Sequence, residues 1–291
     1  MLLCDSAKLI SKVINSPLVS VIMPMFNAEN TIKEAVASVQ AQTYENWEML
    51  VIDNCSTDSS RDLVKGSIRQ DSRISLIDSD YNSGGPARPR NIGIKNARGK
   101  YLAFLDSDDL WSADRLKKGV EFLEENSEYF LVYSKSLIKR NGGVSGVTPI
   151  KAYSGDVFNQ LYLEFNFIPI LTVLMLNQGL DKYLFPEEKK YVCADDWVLW
   201  LSIAREHKIG FIDEPLATYV LHGNNLSAAS FKTLRCIKAA MDEFASFVPR
   251  RILIPAYFYY YCKFIEMGAR QILKQAVTGL IRNGKRGETC K

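Results

Sequence analysis

No stretch of this 291-residue chain offers the ~18 uninterrupted apolar residues that a membrane-crossing helix needs. The first residues lack a basic start, an apolar core and a small-residue cleavage site, so no secretory signal is expected. Cysteine is sparse. Cys4, Cys55, Cys193, Cys236, Cys262 and Cys290 lie far apart, with no Cys-x-x-Cys pair and no zinc spacing. A chain this long does not need disulfide staples, so reduced thiols in a cytoplasmic protein are the expectation. Internal repeats and low-complexity tracts are absent, which removes solenoid and disordered architectures. Gly84-Gly85 has no P-loop lysine after it and reads as a turn.

What remains is an ordinary globular composition, 47% hydrophobic and 24% charged, enough for one large domain or one domain with an extension. The formal net charge of +3 is unevenly spread. From residue 231 onward there are 12 Lys+Arg against 4 Asp+Glu, whereas residues 1–230 carry 24 against 29. A mildly acidic body bears a basic tail. The tail lacks a recognisable nucleic-acid reader motif, so no nucleic-acid partner is expected.

The pattern predicts a lead-in over residues 1–17, a main domain over 18–230 and a helical, basic extension over 231–291. Val19 to Met23, Met49 to Ile52, Ile74 to Ile77 and Tyr101 to Leu105 read as buried strands. Helical periodicity lies between them: after Asn30 as N-cap, after Asp58 or Ser59, and over Ala87 to Ala97. Strands alternating with helices imply right-handed βαβ units and a mostly parallel sheet. Beyond Trp111 the pattern loosens. Leu116 to Glu125 and Asp195 to Arg205 read as helices, Tyr129 to Tyr133 and Gly210 to Ile212 as short strands. Residues 141–155 read as a Gly-rich stretch and 231–281 as mainly helical, with Pro255 breaking any long amphipathic helix.

Four acidic or polar clusters stand at element ends. They are Asp53 to Asp58, Asp106 to Asp109, Asp195 to Trp200, and His222 to Ser227. In open α/β sheets ligands bind outside the strand carboxyl ends. Residues two apart in an extended chain face the same side, so Asp106 and Asp108 can address one point. Two hard oxygen ligands there suit Mg or Mn, an ion usually shared with a phosphate-bearing ligand. Each cluster also has a bland reading. Asp58 and Asp109 can be helix caps, and Asp195 and Asp196 first-turn carboxylates. His222 can be a surface histidine, and Trp197 with Trp200 a core pair.

Taken in order, the motifs resemble the inverting family-2 glycosyltransferases of GT-A fold. They are Val19-Ser20-Val21-Ile22-Met23-Pro24-Met25-Phe26-Asn27-Ala28-Glu29, Ser38-Val39-Gln40-Ala41-Gln42-Thr43, and Val51 to Asp58. Then come Arg90-Asn91-Ile92-Gly93, Ala97-Arg98-Gly99-Lys100-Tyr101 and Phe104 to Asp109. The resemblance runs from about Val19 to Ser227. It implies an α/β GT-A domain with a mostly parallel central sheet flanked by helices, followed by the helical extension.

The resemblance also implies roles. Asp108 resembles the metal-binding aspartate, Asp106 its partner near ribose and metal, and His222 the histidine near metal and diphosphate. Asp53 and Asn54 match the base-binding pair, with Pro24 and Phe26 lining the nucleotide pocket and Arg90 near base or diphosphate. Where the family often has a second aspartate this chain has Asn54, whose amide can still bond a base edge. Val220 stands where an arginine often precedes the histidine, and Pro89 replaces a small residue before Arg90. Asp195 and Asp196 resemble the acidic pair that supplies the catalytic base, and only one can face the acceptor because adjacent helical residues diverge by about 100°.

The activity implied is metal-dependent transfer, with inversion, from a nucleoside-diphosphate sugar to a glycan or lipid-linked glycan acceptor in bacterial surface polysaccharide synthesis. The tail carries two readings: a helical cap on the domain, or an aromatic and basic face for an anionic membrane. In the second, the protein is cytoplasmic and peripheral to the plasma membrane. The rivals are a nucleotidyltransferase, whose Gly-rich phosphate loop is missing, and a degenerate enzyme acting as a membrane-associated scaffold, which Asn54 and Val220 keep open.

Overall fold

Three all-buried strands set the architecture. β1 (Val19–Met25), β2 (Trp47–Asp53) and β4 (Tyr101–Phe104) have every residue out of solvent. Near-continuous apolar runs of this kind belong inside a parallel sheet covered on both faces. The protein, seen in a computed structural model describing residues 16–140, 142–149, 151–178, 182–222 and 230–287, forms one mixed sheet of nine strands among those residues. Its order is β3-β2-β1-β4-β8-β6-β9-β5, with β7 paired to β6. The further strands are β3 (Ile74–Asp78), β5 (Leu110–Trp111), β6 (Tyr129–Arg140), β7 (Gly143–Thr148), β8 (Leu174–Leu176) and β9 (Lys208–Leu221).

β1 to β4 pair in parallel, as the βαβ pattern predicts. β8 runs antiparallel between β4 and β6, and the long β6–β9 pair is parallel again. Three βα turns therefore open at one edge. Met25, Asp53 and Asp78 share a row in the register, and Ile22 pairs with Phe104, so Asp106 follows at the same edge.

Alternation along the strands divides the core in two. Ile22, Leu50, Ile52, Leu102 and Phe104 face one layer, covered by α3 (Ala87–Asn96), α6 (Asp195–Ala204), α7 (Phe231–Phe244) and the start of α8 (Arg250–Gly287). Val21, Met23, Met49, Val51 and Ala103 face the other, covered by α1 (Ile32–Gln40), α2 (Ser60–Gln70) and α4 (Arg115–Glu125). A short helix, α5 (Phe158–Leu163), supports α6 through Leu161, whose carbonyl accepts from Trp197 Nε1 at 3.0 Å.

Several motif residues serve this frame. A Cβ on Gly93 would stand 2.5 Å from Ile22 Cγ2, so the glycine lets α3 lie directly on the sheet. A Cβ on Gly99 would meet the backbone of Ser20 at 2.6 Å and of Leu18 at 2.7 Å. Gln42 bonds the Ser112 carbonyl at 2.8 Å and accepts from Leu116 N at 3.0 Å, latching α1 to the segment after β4.

Four expectations need correction. The first helix is capped at Thr31, not Asn30. The Gly-rich stretch contains β7, whose backbone pairs with β6 despite its weak side-chain signal. β9 spans Lys208–Leu221, far longer than Gly210 to Ile212, because register shifts on either side of Lys135 carry the pairing with β6 past Asp213, Glu214 and Pro215. Pro255 does not break the last helix, which runs through it from Arg250 to Gly287. Pro255 lies beyond the first turn, so the helix forgoes the one bond that an N–H at this position would make to the Arg251 carbonyl and continues on either side of it. The start of the basic tail packs on the domain: Leu234, Cys236, Ala240, Met241, Phe244, Ala256 and Tyr260 are all buried in the same core layer as the sheet.

Candidate active site

The carboxyl edge of the parallel strands is rich in acids, and two of them share one guanidinium. Arg90 on α3 is buried. Its Nη2 donates to Asp106 Oδ1 at 2.7 Å and its Nη1 to Asp195 Oδ2 at 2.9 Å. One guanidinium thus joins the loop after β4 to the first turn of α6. Phe185 lies under it, with the ring centroid 5.2 Å from the guanidinium carbon. Asn91 fixes that ring's backbone, donating to the Phe185 carbonyl at 2.9 Å and accepting from its N–H at 2.8 Å. Arg90 is held well above its ordinary pKa: burial opposes the charge, and Asp106 and Asp195 more than offset it.

The acidic pair of α6 splits as helical geometry requires. Asp195 is buried against Arg90. Burial pushes its carboxyl up to about 7, with Arg90 pulling down and the charges of Asp196 and Asp106 pushing up. Asp196 is half-buried. Its Oδ2 accepts from Asn166 Nδ2 at 2.8 Å and its Oδ1 from Trp197 N at 2.7 Å. Burial raises this carboxyl too, against the pull of Arg90 and of those hydrogen bonds. Trp197 and Trp200 are fully buried and belong to the core.

Asp108 meets His222 across the mouth of the edge, Oδ2 to Nε2 at 2.6 Å. Burial and the neighbouring Asp106 raise the Asp108 carboxyl, and His222 lowers it. Beside them Asp109 is buried. Its Oδ1 accepts from Val220 N at 2.9 Å, so β9 is tied to the acidic loop just before His222. Gly223 to Ser227, the rest of the fourth cluster, lie outside the described residues.

Mn or Mg takes oxygen ligands, and Mn also accepts imidazole. Asp108, Asp106 and His222 fit that donor set. Asp108 and His222 already converge, while one oxygen of Asp106 is committed to Arg90. No cluster of three ligating side chains occurs among the described residues.

The second cluster lies along the same edge. Asp53 is buried, with Oδ1 accepting from Ser56 N at 3.0 Å and Oδ2 from Arg61 Nη1 at 2.5 Å. Asn54 accepts from Ser83 N at 3.1 Å and donates to Asn82 Oδ1 at 3.3 Å. These bonds fold the loops after β2 and β3 onto each other. Pro24 is buried at the end of β1, and Phe26, 48% exposed, projects beyond it. Asn27 and Cys55 adopt positive φ of 47° and 66°, and Asn27 Oδ1 accepts from Thr57 N at 2.8 Å. Sequence reasoning missed Asn166, Phe185, Arg61 and the buried role of Asp109. Asn166 and Phe185 lie where no periodicity marks them.

Known proteins resemble the chain in sequence and in fold. The family model described as Glycosyl transferase family 2 matches residues 20–169. A UDP-Glc:alpha-D-GlcNAc-diphosphoundecaprenol beta-1,3-glucosyltransferase of Escherichia coli, WfgD, is 36% identical over 260 residues, covering 87% of this chain and 94% of its own. An uncharacterised glycosyltransferase of Rickettsia conorii is 38% identical over 221 residues, and the match spans 76% of this chain but only 36% of that longer protein. Among solved structures, Staphylococcus aureus TarS 1–349 in complex with UDP-GlcNAc superposes with a TM-score of 0.61 at 24% identity, over 76% of this chain and 66% of that one. That likeness extends to the fold, the GT-A arrangement of a mixed sheet between helices. With more than half of the sequence under one family model, and a relative this similar along nearly all of it, the chain belongs to glycosyl transferase family 2 and is a glycosyltransferase.

Proposed function

We propose that the protein transfers a sugar, with inversion, from a nucleoside-diphosphate donor to a hydroxyl of a glycan or lipid-linked glycan in bacterial surface polysaccharide synthesis. The observation that carries this reading is the Arg90 bridge. It ties the loop of Asp106 and Asp108 to the acids of α6, which supports a reading in which donor and acceptor groups act side by side. The likeness to an enzyme whose acceptor is a diphosphoundecaprenol-linked sugar favours a lipid-linked acceptor.

In this reading Asp53 and Asn54 hold the base, with Pro24 and Phe26 forming the nucleotide wall. Asp108, Asp106 and His222 would hold Mn or Mg, which when bound would supply Lewis-acid neutralisation of negative charge on a diphosphate, worth several kcal/mol. Asp196 is the general base. It is the member of its pair that reaches solvent, and its two hydrogen bonds fix the carboxylate for the acceptor proton. Attack from the face opposite the diphosphate inverts the anomeric carbon. Asp195 is the buried partner of Arg90 and takes no proton from the acceptor.

The test is turnover against a panel of nucleotide-sugars with Mn present or chelated. Asp108→Asn is expected to lose metal-dependent transfer, by at least about 100-fold, with an unchanged melting temperature. Near-normal turnover by that variant would reject the assignment.

A further inference from the structure

Between residues 254 and 265 α8 is apolar on two opposite faces, and among the described residues only one of them has a partner. Ala256 and Tyr260 are buried against the domain. On the far side Ile254 is 67% exposed, Phe258 71%, Tyr261 51% and Ile265 68%. Spacings of four, three and four residues put these side chains within about 60° of one another around the helix axis. A continuous exposed stripe of large apolar residues marks a binding surface. Two further observations identify the occupant. Arg250 and Arg251 are exposed one turn before Ile254, and the helix as a whole carries eight Lys and Arg against the single Glu266. Tyr259, on the same helix, packs on Phe165 at 5.3 Å, and the next residue, Asn166, holds the Asp196 carboxylate. The stripe therefore belongs to the element bordering the acceptor end of the cleft.

We propose that this face of α8 docks on an anionic phospholipid bilayer, with Ile254, Phe258, Tyr261 and Ile265 among the upper acyl chains and Arg250 and Arg251 at the phosphate level. Apolar side chains on one face with arginines flanking them are what an interfacial helix requires. Docking presents the acceptor end of the cleft to the lipid surface. This deepens the lipid-linked acceptor reading, on which its purpose rests, while the surface stands on its own residues.

The test is sedimentation of the full chain with vesicles of phosphatidylcholine alone and of a phosphatidylcholine–phosphatidylglycerol mixture. The native chain is expected to bind the mixed vesicles. Phe258→Glu with Ile265→Glu is expected to lower partitioning by at least about ten-fold. Arg250→Glu with Arg251→Glu is expected to lose the preference for phosphatidylglycerol by roughly as much. Circular dichroism of each variant checks that the exposed substitutions leave the fold intact. Equal sedimentation of native and substituted chains would overturn the proposal. So would light scattering that shows a dimer abolished by Phe258→Glu, with no vesicle binding, because a second copy would then be the occupant. Donor hydrolysis in detergent-free buffer separates the two readings: its absence in a chain that binds vesicles counts against the transferase assignment alone.

Discussion

Arg90 ties together two segments far apart in the sequence. It is buried, and it bonds one carboxylate from the loop after β4 and one from the first turn of α6. Lysine cannot replace it, because one ammonium lacks the fork that spans two acids. Arg90→Ala leaves Asp195 buried without its partner, and chemical denaturation should show a loss of about 3–5 kcal/mol. Asp195 and Asp196 should separate in kinetics. Asp196→Asn is expected to cut kcat by roughly 10²–10⁴-fold with donor KM little changed, whereas Asp195→Asn should register mainly in the melting temperature. The resemblance implies Arg90 near base or diphosphate; the geometry adds that its guanidinium lies between two acids. A side chain's partner 105 residues away leaves no local pattern, and Asn166 was invisible for the same reason.

Among the elements, the parallel strands were the most legible. Burial on both faces demanded apolar runs at β1, β2 and β4, and the turns after them carried the acids. β7 and the full length of β9 were not legible, since glycines in one and Pro215 in the other mask the alternation. The opposite edge of the same strands shows what the Arg98-Gly99 part of the motif does. Glu48 is buried at the start of β2. It accepts from Ser20 Oγ at 2.7 Å, from Arg98 N at 2.8 Å and from Arg98 Nε at 2.8 Å, and Ser20 Oγ in turn accepts from Gly99 N. Burial alone would raise this carboxyl, but those bonds outweigh it and hold the group below its ordinary value. A depressed carboxyl adds stability above its unfolded pKa of about 4.3 and loses that increment as pH falls through the folded value. Glu48→Gln should therefore cost about 1–3 kcal/mol at neutral pH. Thermal unfolding should show the native–variant gap narrowing in acid.

On the scale of the whole molecule, the basic tail is not an appendage where it is described. α7 and the start of α8 supply Leu234, Met241, Phe244 and Tyr260 to the core, and Tyr162 Oη donates to the Met241 carbonyl at 2.9 Å. A chain ended at residue 230 should lose its cooperative thermal transition and expose the outer face of α6, measurable by dye binding. The composition shift at residue 231 was readable, but charge cannot reveal that the same helices carry a buried apolar face.

Asp109 and Val220 bond across 111 residues of chain, and Asp108 meets His222 alongside them. That double rung makes the acidic loop and the far end of β9 one unit of descent. A single residue gained or lost between Ala217 and Val220, beyond the register shifts of β9, would move the histidine out of register with its aspartate. Length changes in relatives should therefore fall outside that interval, or arrive there in compensating pairs.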